Sequence, residues 1–229
     1  MDQPRNSAPA LAEQPALPSW VNCPWPTDLY PARQGLVFVI SGPAGVGKDT
    51  VITELKERSP ELRASMHHVV TATTRPPRPD EVDGVSYHFV TPERFAQMRA
   101  NGELLEWASV HGREYGTPAD QVRQALQSGL DVLLKIDVQG AAQVRQRIPQ
   151  AVLIFLGPPS MEALVDRLLA RGSEGPADRE RRIQTAREEM RRVTEYDYVI
   201  VNQDGCSAEA VEQVKAIITA ERLRAFPRR

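Results

Sequence analysis

Leu36-Val37-Phe38-Val39-Ile40-Ser41-Gly42-Pro43-Ala44-Gly45-Val46-Gly47-Lys48-Asp49-Thr50 is an apolar run that turns through glycines into a lysine and a helix-forming sequence. It reads as a buried strand feeding a phosphate-binding loop. Gly42, Gly45 and Gly47 permit backbone conformations that a Cβ resists, so successive amide N–H groups can point inward at phosphate oxygens. Lys48 adds a mobile positive charge, and the helix that starts near Gly47 turns its N-terminal dipole toward the same anion. One position departs from the usual loop: Asp49 stands where Ser or Thr normally holds Mg²⁺.

Bulk properties narrow the rest. The chain has 229 residues, with Lys+Arg 28 against Asp+Glu 30. That length suits one domain with inserted subdomains or a tail, and the near balance argues against bulk binding to nucleic acid or to an anionic membrane. Cys23 and Cys206 have no metal-ligand or redox spacing, which points to a reducing, cytoplasmic setting. His67, His68, His88 and His111 lack partnered cysteines and read as surface or core residues. No stretch is apolar enough to span a bilayer, and the N-terminus does not read as a signal peptide.

Outward from the loop, residues 1–34 are rich in Pro and Ala and are expected to be disordered or extended. Trp20 and Trp25 in this tail would pack loosely on the domain or dock a partner. Asp49 to Arg58 forms a helix with Val51, Ile52 and Leu55 on one face. Val69 to Thr74 and Tyr87 to Val90 are strand-like and flank a proline-stiffened loop. Thr91-Pro92-Glu93 begins a helix that runs to about Ala100. Glu103 to Val110 alternates as a strand, and Gly112 to Thr117 turns back. Residues 70–117 thus form a small mixed subdomain. A helix from Pro118 to Ser128 stops at Gly129. Asp131 to Asp137 is a buried strand whose terminal acid would lie beside the nucleotide's Mg²⁺. Helix 139–146, strand 151–156, helices 161–171 and 179–194, strand 199–201 and a closing helix 207–224 complete the chain. Strands alternating with helices predict an α/β fold with a parallel sheet and helices on both faces, its ligands at the carboxyl ends of the strands.

Several stretches together resemble guanylate kinase: the loop 41–48, Thr73-Thr74-Arg75-Pro76-Pro77-Arg78 with Glu81-Val82-Asp83-Gly84 and Tyr87, Glu106-Trp107, Tyr115-Gly116-Thr117, Ile136-Asp137-Val138-Gln139-Gly140, Arg167 with Arg171-Gly172, and Tyr196 to Asn202. The resemblance runs in order over about residues 35–225. It implies a three-layer P-loop NTPase-type parallel core (35–69, 118–157, 196–225) with an inserted mixed GMP-binding subdomain (70–117) and a helical lid region (158–195). The implied activity is ATP-dependent phosphorylation of GMP, and of dGMP, in cytoplasmic purine metabolism. The substrates would be ATP with Mg²⁺ and GMP, with no nucleic acid or membrane partner, in a monomer or homodimer.

The resemblance also assigns residues. Gly42, Pro43, Ala44, Gly45, Val46, Gly47, Lys48, Asp49, Thr50 and Asn202 would bind ATP. Arg75, Arg78, Tyr87 and Tyr115 would hold the GMP phosphate, the two guanidinium forks clamping it from different sides. Glu106 would accept the N1–H and 2-amino protons of guanine, with Thr71 and Thr117 as hydroxyl contacts; Glu81 and Asp137 belong to the same acceptor site. A base read in this way is discriminated strongly. Lys48 with the lid arginines Arg167, Arg171 and Arg182 would stabilise the charge that spreads over the moving phosphoryl group. Arg179 and Arg181 read as a basic face balanced by Glu180, Glu188 and Glu189.

Three positions depart from the family pattern: Asp49, Ala44 where serine is common, and Lys135 where an acid is frequent. Thr50 lies roughly 100° further around an ideal helix and does not replace the missing hydroxyl. Asp49 is therefore expected to reach Mg²⁺ directly or through water, as Asp137 would through water. Lys135 could pair with Asp137, meet a phosphate or point away. Two other readings remain at this point: the same fold acting on another nucleoside monophosphate or ribose 1,5-bisphosphate, and an inactive interaction module.

Overall fold

Every side chain of β1 (Val37–Ser41) is buried, so both of its faces must be covered by other layers. In this computed structural model, which describes residues 35–110, 112–170 and 176–224, β1 is the middle of a five-stranded sheet. Its neighbours are β2 (Met66–His68), β7 (Asp131–Lys135), β8 (Val152–Gly157) and β9 (Tyr198–Val201), in the order β2-β7-β1-β8-β9. All pairings in it are parallel, with Ile40 beside both Lys135 and Ile154. Period-two alternation assigns the faces. Phe38 and Ile40 pack toward Val51 and Leu55 of α1 (Lys48–Arg58) and Val211 and Val214 of α8 (Ser207–Arg222). Val37 and Val39 pack toward Val122 of α4 (Ala119–Gln127) and Ala141 and Val144 of α5 (Val138–Arg147). The result is the expected three-layer core.

The inserted subdomain has its own sheet in the order β4-β3-β6-β5, built from β3 (Ala72–Thr73), β4 (His88–Phe89), β5 (Leu104–Val110) and β6 (Arg113–Pro118). β3 and β4 run parallel, and the other pairs are antiparallel. Helix α3 (Pro92–Ala100) sets Phe95 and Met98 against Ala72 and Leu104 as a second small core. It starts where the capping pattern puts it: Thr91 Oγ1 accepts from the Arg94 amide at 3.2 Å, with Pro92 in the first turn. The region expected to be a lid contains a helical pair, α6 (Met161–Ala170) and α7 (Pro176–Arg191), joined through Leu164, Leu168 and Ala186.

Five local expectations are corrected. Ser59-Pro60 does not end the helical region: it starts α2 (Pro60–Ser65), with the proline at a position that needs no N–H donor. Met66-His67-His68 is a strand of the core sheet although its polar residues hide the pattern; as an edge strand it is only half covered. The strand expected over 69–74 pairs only at Ala72–Thr73. The strand ending in Asp137 stops its ladder at Lys135, and Asp137 caps α5 instead. Helix α7 gives way to a 3-10 turn at Arg192–Glu195 rather than continuing to residue 194. The expectations for Trp20, Trp25, Cys23, His111, Arg171 and the tail 1–34 lie outside the described residues. Among the described residues no helix is long and apolar enough to cross a membrane.

One buried ion pair ties the last helix to the sheet. Asp131, 1% exposed, accepts from Arg222 Nε at 2.7 Å, and its other oxygen accepts from the Leu36 amide at 2.8 Å. Removing one partner of such a pair leaves a poorly compensated charge, so Arg222→Ala should lower unfolding stability by about 3 kcal/mol. Urea denaturation reads this directly, and a shift of only a few tenths would show that the pair contributes little.

Candidate active site

The loop leaves the carboxyl end of β1 and is braced from outside. Asn202, at the end of β9, donates from Nδ2 to the Val46 carbonyl at 2.8 Å, and its amide donates to Gly157 O at 2.8 Å. Gly47 has φ +96, and a Cβ on it would lie 2.5 Å from Asn202 Nδ2, so the brace and the turn both require glycine. Val46 turns its side chain into the core next to Ile40 and Val51, while Ala44 is exposed. Arg167 of α6 lies on the outer rim, donating to Asn202 O at 2.8 Å and Val46 O at 3.4 Å, and pairing with Asp204 at 2.6 Å. Lys48 folds back over the loop, its Nζ 2.6 Å from Gly42 O and 3.0 Å from Pro43 O. Burial lowers its pKa, against the nearby carboxylates of Glu189, Asp49 and Asp137. Glu189 of α7 reaches the loop itself: its Oε2 accepts from the Ala44 amide at 3.3 Å. Burial raises the pKa of this carboxyl, against the pull of Lys48 and the amide. A residue read from sequence as charge balance thus brings α7 onto the loop amides.

On the small sheet, Glu81 holds Arg75 with both oxygens, at 2.7 and 2.8 Å, and also accepts from the Arg78 amide at 2.8 Å. Arg75 lies over the Tyr87 ring, 5.3 Å from its centroid, and Tyr87 meets Tyr115 edge-on at 6.0 Å. These five residues therefore converge, and Glu81 acts as the strut of Arg75 at this place. The Arg78 side chain is exposed. Thr71 precedes β3, and its carbonyl accepts from the His88 amide at 2.9 Å.

Between the two sheets sits a buried carboxylate. Glu106 on β5 is 2% exposed and accepts from Thr117 Oγ1 at 2.5 Å. Burial pushes its pKa up to about 7; the Thr117 hydrogen bond opposes the rise and the charge of Asp137 adds to it. The space it occupies is the missing side chain of Gly140: a Cβ there would collide with Glu106 Oε2. Asp137 caps α5, its Oδ1 accepting from the Gly140 amide at 2.8 Å. Its Oδ2 is buried and has no hydrogen-bond partner among the described residues. That orphaned oxygen lies in a strongly electrostatic neighbourhood, since the charge of Asp137 is felt at Lys48, Glu106, Glu189, Arg192 and Tyr196.

Two of the three departures from the family pattern meet each other. Lys135 Nζ donates to Asp49 Oδ1 across the gap between β7 and α1, so of the partners open to Lys135 in the sequence, Asp137 is not the one taken. Thr50 is exposed in the first turn of α1, and Arg182 is half-buried on α7. A cavity of 500 Å³ between α1, α2 and β2 is lined by Leu55, Lys56, Leu62, Met66 and His68 and by none of the expected site residues. In the sequence Gly140 reads only as part of a motif and Glu189 only as charge balance, and neither reading contains the role that the structure gives it. Each matters because of what a distant segment brings beside it.

The parallel core, the loop at its central strand and the small second sheet together have the architecture of a phosphate-loop kinase of nucleotides. Comparison with known proteins narrows the class. The family model described as guanylate kinase matches residues 34–221. A guanylate kinase of Desulfitobacterium hafniense (strain Y51) is 47% identical over 192 residues, covering 84% of this chain and 93% of that protein. One from Nocardia farcinica (strain IFM 10152) is 51% identical over 178 residues, covering 77% and 90%. The crystal structure of guanylate kinase from Anaplasma phagocytophilum superposes with a TM-score of 0.68 at 32% identity, covering 84% of this chain and 89% of that one. The chain belongs to the guanylate kinase family.

Gly140→Ala tests the close approach of α5 to β5. The added methyl must push Glu106 off its Thr117 contact, and overpacking of this kind costs about 1–3 kcal/mol. A loss of that size in urea denaturation is expected; a stability equal to wild type would mean that the interface yields freely.

Proposed function

We propose that the protein transfers the terminal phosphoryl group of ATP to GMP, and to dGMP, giving ADP and the guanosine diphosphate. The observation that carries this reading is Glu106, a buried carboxylate already oriented by Thr117. Guanine presents two adjacent donors, N1–H and the 2-amino group, that one carboxylate can accept together. Adenine presents an acceptor at N1 and leaves a buried charge unpaired, which is the costly half of such discrimination.

The remaining residues supply charge and alignment. Arg75, held by Glu81 before any ligand arrives, forms with Arg78, Tyr87 and Tyr115 the clamp for the GMP phosphate. Preorganisation by Glu81 removes part of the entropic cost of binding. The loop amides and Lys48 take the phosphates of ATP, with Lys48 swinging from the carbonyls of Gly42 and Pro43 to the incoming oxygens. Asn202 and Arg167 brace the loop at its outer rim. Arg167, Arg171 and Arg182 are the lid arginines assigned to the moving phosphoryl group, Arg167 being held meanwhile by the loop's outer carbonyls and Asp204. Arginines carried on a lid reach that group only when both nucleotides are in place, which limits hydrolysis by water.

Mg²⁺ with ATP belongs to the same reading. The orphaned Oδ2 of Asp137 suits a hard cation or its water, and the Asp49 carboxylate, beside Lys48 and shared with Lys135, is the second oxygen donor. When bound, the ion would neutralise phosphate charge. Asp49→Ala should raise the Mg²⁺ concentration needed for half-maximal rate; an unchanged requirement would remove Asp49 from the ligand set. The role in the cell would be purine nucleotide recycling in the cytoplasm, with small-molecule substrates only.

The decisive test is a comparison of GMP, dGMP, AMP, CMP, UMP and ribose 1,5-bisphosphate as acceptors, by ADP formation from ATP. GMP is expected to be preferred, and a better rate with a non-guanine acceptor overturns the reading. Only ionised Glu106 accepts both guanine donors, so kcat/KM for GMP should fall as pH drops through about 7. The limb should approach about tenfold per pH unit, and Glu106→Gln should abolish it along with most of the guanine preference.

A further inference from the structure

Lys135 ends β7 beside Ile40, the residue before the loop. Its ammonium donates to Asp49 in the first turn of α1, and it also faces the small sheet. Nζ lies 3.5 Å from the Tyr87 hydroxyl and 5.3 Å from the centroid of the Tyr87 ring. Arg75 stands at 5.3 Å from the same centroid. Two cations therefore converge on one tyrosine, each with its own carboxylate, Asp49 for Lys135 and Glu81 for Arg75. Like charges brought together in this way repel one another, and a shared anion would turn that repulsion into attraction. The Lys135 side chain is 21% exposed, so an anion can reach it.

We propose that Lys135 is a further ligand of the acceptor phosphate, adding an ammonium from the core sheet to the guanidinium and hydroxyl groups of the small sheet. This rests on reading Arg75, Tyr87 and Tyr115 as the clamp for that phosphate. Asp49 then steadies the ammonium from the donor side, so one ion pair links the helix behind the ATP loop to the group that receives the phosphoryl. The basic residue at 135 is thereby placed in binding, and its pairing with Asp49 is more than a neutral charge exchange.

The test is calorimetric titration of the full chain with GMP and with guanosine, which share the base and differ in the phosphate. Lys135→Met should weaken GMP about tenfold or more, the scale of one lost charge-assisted contact, and leave guanosine within about twofold. Lys135→Arg should restore most of the GMP affinity. Unchanged guanosine binding also shows that the variant is folded. If Lys135→Met weakens GMP and guanosine equally, weakens only ATP, or changes nothing while Arg75→Met selectively weakens GMP, the proposal fails and the clamp stands. If Arg75→Met also leaves the difference between GMP and guanosine intact, the clamp itself is misplaced and the proposal falls with it.

Discussion

The packing of α5 against β5 is the contact on which the rest of the arrangement depends, because it fixes the small sheet to the core. Gln143 grips Trp107 from both sides, accepting from its amide at 3.2 Å and donating to its carbonyl at 2.6 Å. Arg147 donates to Leu104 O at 2.8 Å and also to Leu105 O. Between these bonds, Gly140 lets the Glu106 carboxylate approach the helix that Asp137 caps. A backbone seam of this kind holds the proposed guanine reader at a set distance from the phosphate loop, which belongs to the same core. Preorganisation matters here because phosphoryl transfer is governed by alignment and charge rather than by covalent help from the protein.

Electrostatically the site is a set of charges held near compensation. Lys48 is half-buried among carboxylates, Glu106 is driven toward neutrality by burial, and Glu189 sits on a loop amide. The two cations beside Tyr87 each have an acid, Arg75 with Glu81 and Lys135 with Asp49. Bound nucleotides would exchange these internal partners for phosphate oxygens. The helical pair α6 and α7 takes part through Glu189 of α7, which touches the loop, and through Arg167 of α6, which is bound to the loop's outer carbonyls.

Most of the fold was legible from pattern. Alternating strands and helices, the capped start at Thr91-Pro92 and the stop at Gly129 all follow from local rules, because the core strands are buried on both faces and the helices on one. What was missed was short or at an edge. Met66-His67-His68 has no apolar signal because an edge strand is covered on one side, and α2 is too brief to show a period. The Tyr196-Asp197-Tyr198 motif illustrates a different limit. Asp197 ties β9 to β8 through the Leu153 amide at 2.8 Å and pairs with Arg145 at 2.6 Å, while Tyr198 bonds Glu221 at 2.5 Å. These are structural tasks that no reading of the residues alone would distinguish from binding.

The sequence by itself determined the phosphate loop, the α/β class and the family resemblance, since glycine spacing, hydrophobic period and motif order are all local along the chain. Only the tertiary structure decided which charges neutralise which. Lys135 and Asp49 are 86 residues apart and meet because β7 lies beside β1 in the sheet. Gly140 has a purpose only once β5 is laid across α5. Pairings at such separations depend on strand order and helix packing, and those are properties of the folded chain rather than of any stretch within it.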